Sequence, residues 1–133
     1  MNDILAHVKQ HHDFVLTVFD QPIAFQRIFV DLTGKITSAL MLSWAVQQYE
    51  LGEVDNNGWF AKTAEDWTRD TGLSRDEQIA AKRRLMELGI LEEQRTRVDK
   101  GMRQVISYRL NFQVLQQLII AKDQQSRKLR SAH

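Results

Sequence analysis

Arg75, Gln78, Ile79, Lys82 and Arg83 follow one another at alternating steps of three residues and one, a spacing that gathers side chains around one part of a helical surface. Guanidinium groups suit guanine edges, and an aliphatic group such as Ile79 suits a thymine methyl. Asp76 stands among them and would be repelled by phosphate unless it met a cytosine amine or an arginine. A second cluster, Arg95, Arg97, Lys100 and Arg103, surrounds Asp99-Lys100-Gly101. Cations at that density suit phosphate or minor-groove contact. The chemistry these residues offer is the holding of a polyanion.

The elements that would carry them are marked by caps. Thr63 is a hydroxyl N-cap, with Glu65 and Asp66 in the first turn and Asp66 at the third position of a capping box. A short helix therefore begins at Thr63 and ends at Thr71-Gly72, where glycine can take the left-handed backbone. Leu73 supplies a new apolar anchor and Ser74 a new N-cap. The next helix runs from Arg75 to Gly89, about four turns at 3.6 residues each. With Leu85 at the centre of its buried face, Gln78, Ala81 and Leu88 fall beside it, while Asp76, Ala80 and Arg83 fall opposite. Arg75 and Lys82 flank the stripe, and Ile79 lies towards the outer side. A strand from Ile90 to Val98, a turn at Asp99-Lys100-Gly101 and a return from Gln104 to Leu110 complete the segment. Helix, tight turn, helix and basic hairpin are the order of a winged helix-turn-helix.

The remaining chain supplies scaffold. Ile36 to Leu51 reads as a helix closed by Gly52, with Ile36, Ala39, Leu40, Ser43 and Trp44 on neighbouring turns. Asp55-Asn56-Asn57-Gly58 is a turn, and Trp59-Phe60-Ala61 a short third strand. Trp44, Trp59 and Trp67 fall where a small core needs bulk, which outweighs a base-stacking role. Phe14 to Phe19 reads as a strand or arm closed by Asp20-Gln21-Pro22, and Phe25 to Leu32 as a short helix before Gly34. Asn111 caps a last helix from Phe112 to about Lys128, with Phe112, Leu115, Leu118 and Ile119 on one face and Val114 and Ile120 widening it. That face either packs on its own domain or forms a homodimer seam, and a two-fold protein would read a two-fold site. The closing Lys122, Arg127, Lys128 and Arg130 form a basic tail. The expected fold class is mainly α with a small antiparallel β-sheet. It forms a single domain over 1–133: an N-terminal arm and short helix over 1–35, a winged-helix core over 36–110, and a C-terminal helix with the tail over 111–133.

Several stretches resemble one family: Gln21-Pro22-Ile23-Ala24-Phe25, Leu32 to Leu40, Asn57-Gly58-Trp59-Phe60-Ala61-Lys62-Thr63, Thr71-Gly72-Leu73-Ser74-Arg75 and Leu88-Gly89-Ile90-Leu91. Over roughly residues 20 to 112 the chain resembles winged-helix proteins of phages, prophages and plasmids, of replication or regulatory type, akin to the DNA-binding head of DnaD-type primosomal proteins. The resemblance implies double-stranded DNA binding in replication initiation or transcriptional regulation. Winged helices also serve as protein-binding modules.

Composition narrows the choices. At 133 residues, 43% hydrophobic and 26% charged, the chain is ordinary for one globular domain. There is no cysteine, so disulfides and thiolate zinc sites are excluded, and a cytoplasmic location is expected. No apolar run approaches the ~20 residues that span a bilayer, so no membrane partner is expected. Net charge is only +1, yet it is unevenly placed. Residues 1–68 hold four Lys or Arg against nine Asp or Glu, a net of −5; 69–109 hold ten against seven, and 110–133 four against one, each a net of +3. The sign changes where the helix expected to read DNA begins. His7 and His11 are four apart with His12 adjacent, but no third ligand of suitable spacing appears, so no metal or other cofactor is expected. Glu92 and Glu93 are consecutive on a strand and point to opposite sides. Without a phosphate-cradling loop, nucleophile elbow or thiol, the protein is not expected to be an enzyme.

The residues expected to contact double-stranded DNA are Ser74, Arg75, Gln78, Ile79, Lys82 and Arg83 from the helix, and Arg95, Arg97, Lys100 and Arg103 from the hairpin. On the other side stand local pairs, Glu77 with Arg84 or Asp76 with Arg83, that would consume the helix cations. The low net charge, Asp76 and the acidic first half favour a different class: a scaffold that grips another protein, a replisome component or a host enzyme. A metal-dependent nuclease is a third class, separated by whether DNA is cut when divalent ions are added.

Overall fold

A computed structural model describes residues 27–98 and 103–131. The expected strand at Phe14 to Phe19, the His7, His11 and His12 trio, the hairpin tip and Lys100 lie outside these residues.

Helix α1 (Arg27–Thr33) ends where the Thr33 hydroxyl donates to the Phe29 carbonyl at 2.7 Å and Gly34 turns the chain at φ 74°. Helix α2 (Ile36–Glu50) follows. Its buried side is dominated by small residues, Ser38, Ala39, Ser43 and Ala45, with Met41 and Leu42 supplying bulk. Small side chains let a neighbouring backbone come close, and Ser38 Oγ reaches the Ala81 carbonyl of the later helix at 3.5 Å. Ile36, expected on a turn shared with core residues, is 68% exposed at the first turn.

The Asp55 carboxylate accepts from the backbone N–H groups of Asn57 and Trp59 at 2.9 and 2.8 Å, fixing the turn. That use of Trp59 shortens the expected third strand to β1 (Phe60–Ala61). Helix α3 (Ala64–Thr71) has the expected capping box: Thr63 Oγ1 accepts from Asp66 N, and the Asp66 carboxylate accepts from Thr63 N. Gly72, at φ 77°, ends it. Helix α4 (Arg75–Glu87) repeats the device with Ser74 and Glu77.

Strands β2 (Leu91–Val98) and β3 (Arg103–Leu110) pair antiparallel, Leu91 with Leu110 through Val98 with Arg103. Strand β1 pairs with the other edge of β3, Phe60 opposite Tyr108, so the sheet order is β1-β3-β2. Helix α5 (Phe112–Ser131) starts with Asn111 Oδ1 accepting from Val114 N at 3.1 Å, the expected cap. The molecule is thus mainly helical with a small three-stranded antiparallel sheet. Its core lies where α2, α3 and α4 meet the inner face of that sheet, centred on Trp67, Leu85, Ile90 and Tyr108.

Candidate functional site

Helix α4 turns Leu85, Ala81 and Gln78 inward, at 0%, 0% and 2% exposure, in agreement with the hydrophobic stripe read from the sequence. The opposite side presents Arg75, Asp76, Ile79, Arg83 and Met86 to solvent. Two grooves flank it. One, about 420 Å³, runs between the start of α3 and the edge of β3, and Arg75 and Arg103 both line it. The other, about 520 Å³, lies between α4 and β2 and is lined by Ile79, Lys82, Arg83, Met86, Glu87, Glu93 and Arg95, two carboxylates among three cations. The helix and hairpin clusters, separate in sequence, therefore meet in these two concavities through Arg103 and Arg95, while Arg97 lines neither.

Ion pairing sorts the cations of this region. Lys62 is buried and held by Asp70; its ammonium lies 3.6 Å from the Trp44 ring centroid and 5.0 Å from that of Trp67. Burial pushes its pKa down despite Asp70. Arg69 is shared by Asp66 and Asp70, and Arg109 is bound by Glu92 at 2.6 Å on the outer face of the sheet, over Trp59. Arg84 donates to the Thr33 carbonyl at 2.8 Å and lies 3.8 Å from Glu87. Between residues 62 and 109, the cations with no carboxylate or hydrogen-bond partner among the described residues are Arg75, Arg83, Arg97 and Arg103. All four were expected at the interface, and neither local pair weighed from the sequence forms: Glu77 caps α4, and Asp76 does not reach Arg83.

Other expected contact residues have different places. Gln78 is not presented to a groove. Its Nε2 faces the Ala64 carbonyl, Thr68 Oγ1 and the Leu73 carbonyl at 3.1, 2.9 and 3.0 Å, tying α4 to α3 and the turn between them. Acceptors from the first turn of α3, its Thr68 side chain and the turn that follows it draw the amide inward, where its desolvation is compensated. Lys82 lines the second groove but is engaged, donating to the Tyr108 hydroxyl at 3.2 Å and lying 3.7 Å from Glu93. Arg95 is 3.6 Å from the same carboxylate, with its side chain 55% exposed. Ser74 is exposed, but its hydroxyl is spent on the cap: it accepts from Glu77 N at 3.2 Å and bonds the Glu77 carboxylate in return. Ile79 is 45% exposed.

Three groove residues, Met86, Glu87 and Glu93, went unnoticed in the sequence. Met86, 42% exposed, is two turns from Ile79 and so on the same side. Glu93 shares a strand face with Arg95 because side chains two apart in a strand point the same way; that spacing was the signal available.

No protein-family model and no curated protein matches this chain. Among the described residues, no three His, Cys, Asp or Glu gather as a metal site would require, and no helix is long and apolar enough to cross a membrane.

Proposed function

We propose that the chain is a winged helix-turn-helix protein that binds double-stranded DNA, with α4 entering the major groove and the β2-β3 hairpin lying along the backbone. The assignment is supported by the element order, helix α2, strand β1, helices α3 and α4, then a hairpin, and by the sheet order β1-β3-β2. The observation that carries the function is the sorting of charge. Arg75 and Arg83 on α4, with Arg97 and Arg103 on the hairpin, are exposed and lack partners among the described residues, while the other described cations between residues 62 and 109 are paired. Unpaired guanidinium groups are available to guanine edges and to phosphates at no cost of breaking an internal pair. Ile79 and Met86 between them are placed for thymine methyl groups. Replication initiation and transcriptional regulation both fit such a module, and the chemistry of the surface is the same for either.

The test is a fluorescence anisotropy titration of the whole chain with a pool of random duplexes at two salt concentrations. Saturable binding that weakens as salt rises is expected. Absence of binding at the lower salt would overturn the assignment. It would favour a protein partner with acidic and apolar groups, the reading to which exposed Ile79 and Met86 beside Arg83 also lend themselves.

A further inference from the structure

We infer that Glu93 is a carboxylate clasp that withholds Lys82 and Arg95 from phosphate, so that only a ligand able to displace it gains both cations; this rests on the duplex-binding reading of the α4 face. Glu93 stands on β2 opposite Tyr108, with its side chain 16% exposed. One oxygen, Oε1, lies 3.7 Å from Lys82 Nζ and 3.6 Å from Arg95 Nη2. It is buried, yet no donor comes within hydrogen-bond distance among the described residues. The oxygen is therefore held by two charges and by no directional bond. Charge-assisted hydrogen bonds are the stronger form of such contacts, and this carboxylate lacks them. A phosphate oxygen placed between the same two cations can accept from both and would replace it.

Displacement is possible without rebuilding the groove. Lys82 has a second anchor, since its ammonium donates to the Tyr108 hydroxyl and stands 5.4 Å from that ring's centroid. Arg95 is more than half exposed and free to swing. With the clasp shut, Arg83 is the one groove cation without a partner among the described residues. With it open there are three. A duplex whose backbone does not seat in the groove meets the closed state, so Glu93 suppresses sequence-independent binding and acts as a specificity residue.

Glu93→Gln keeps the shape and removes the charge. Two measurements are made on the full chain: the salt at which it elutes from immobilised heparin, and its affinity for a random duplex across a salt series. Glu93→Gln should elute later than the parent, and its log K against log salt should steepen by about 2, one for each cation released. Over a fourfold rise in salt that is roughly a twelvefold greater loss of affinity. Adding Lys82→Met should return about half of the change in slope. Unchanged or earlier elution of Glu93→Gln overturns the clasp. Later elution with no duplex binding by either protein supports the clasp and overturns the DNA reading. Weaker duplex binding by Glu93→Gln would make the carboxylate a direct acceptor for a base amine and overturn the clasp. Should Glu93→Gln fail to fold, Glu93→Asp, which retracts the carboxylate by one methylene, carries the same expectation in the same direction.

Discussion

Arg75 and Arg83 differ from Arg97 and Arg103 in what they can read. A guanidinium on a helix inside a major groove can pair bidentately with guanine, worth about 1–3 kcal/mol. Arg83→Ala should therefore weaken binding to a selected duplex roughly 5- to 150-fold while changing random-duplex affinity much less, as competition titrations would reveal. Arg97→Ala and Arg103→Ala should weaken all sequences alike and flatten the salt slope by about 1 each; an unaltered slope would remove the hairpin from the interface. Lys62 makes a prediction of another kind. Its ammonium is enclosed by Trp44, Trp67 and Asp70, whereas Asp70 is 27% exposed and is also bound by Arg69. Asp70→Asn strands a buried charge and should lower the unfolding free energy by about 3 kcal/mol, whereas Lys62→Met leaves a carboxylate that still has a partner and solvent and should cost clearly less. Urea titrations followed by circular dichroism decide between these, and an equal loss for both would contradict the account.

The junction between α3 and α4 is where the sequence was most and least legible. Its boundaries could be read because caps are local: Thr63 with Asp66, Ser74 with Glu77 and left-handed Gly72 each need only neighbours in the chain. Gln78 was legible only in part: helical spacing put it beside Leu85 on the buried stripe, yet its polarity also put it among the contact residues. Its acceptors on Ala64, Thr68 and Leu73 are brought together only after the two helices have turned against each other, so its side of the helix could be read but its partners could not. Lys82 and Glu93 share that obscurity, since their meeting depends on how α4 lies over β2. The candidate surface was therefore readable as composition and helical side, with Arg75, Arg83, Arg97 and Arg103 all placed on exposed ground, while its internal pairing was not. Gln78→Ala should cost about 2–3 kcal/mol through lost buried hydrogen bonds and the space the side chain leaves, with any loss of duplex affinity tracking the unfolded fraction. Gly72→Ala meets nothing within 4 Å of a new Cβ but must hold φ 77°, so it should cost about 1 kcal/mol from backbone alone, measured by thermal melting; a neutral result would mean the turn relaxes.

At the scale of the whole molecule, a net charge of +1 conceals a division of labour: carboxylates that cap or pair on α3 and at the start of α4, and guanidinium groups of α4 and the hairpin left open to solvent. The capping carboxylates set the response to acid. Hydrogen bonds from the backbone and side chain of Thr63 hold Asp66 below its ordinary 3.8, and those from Ser74 hold Glu77 below 4.5. For Asp70, burial acts upward but is outweighed by bonds from Arg69 and Lys62, so it too lies below 3.8. Groups depressed in the folded state stabilise it fully above their unfolded values and lose that contribution as pH falls through the folded ones. The melting temperature should accordingly hold steady down to about pH 5 and decline as acid passes 4.5 and then 3.8, with a shallower decline in a Thr63→Ala, Ser74→Ala double variant. The aromatic cluster has a consequence of its own. Trp44 and Trp67 stand 5.0 Å apart at 66°, with Phe60 and Tyr108 against Trp67. Two indole transition dipoles so close and so inclined couple, and the chain carries in its own chromophores a chiroptical signature of tertiary assembly that vanishes when these rings part, whether or not the helices melt with them.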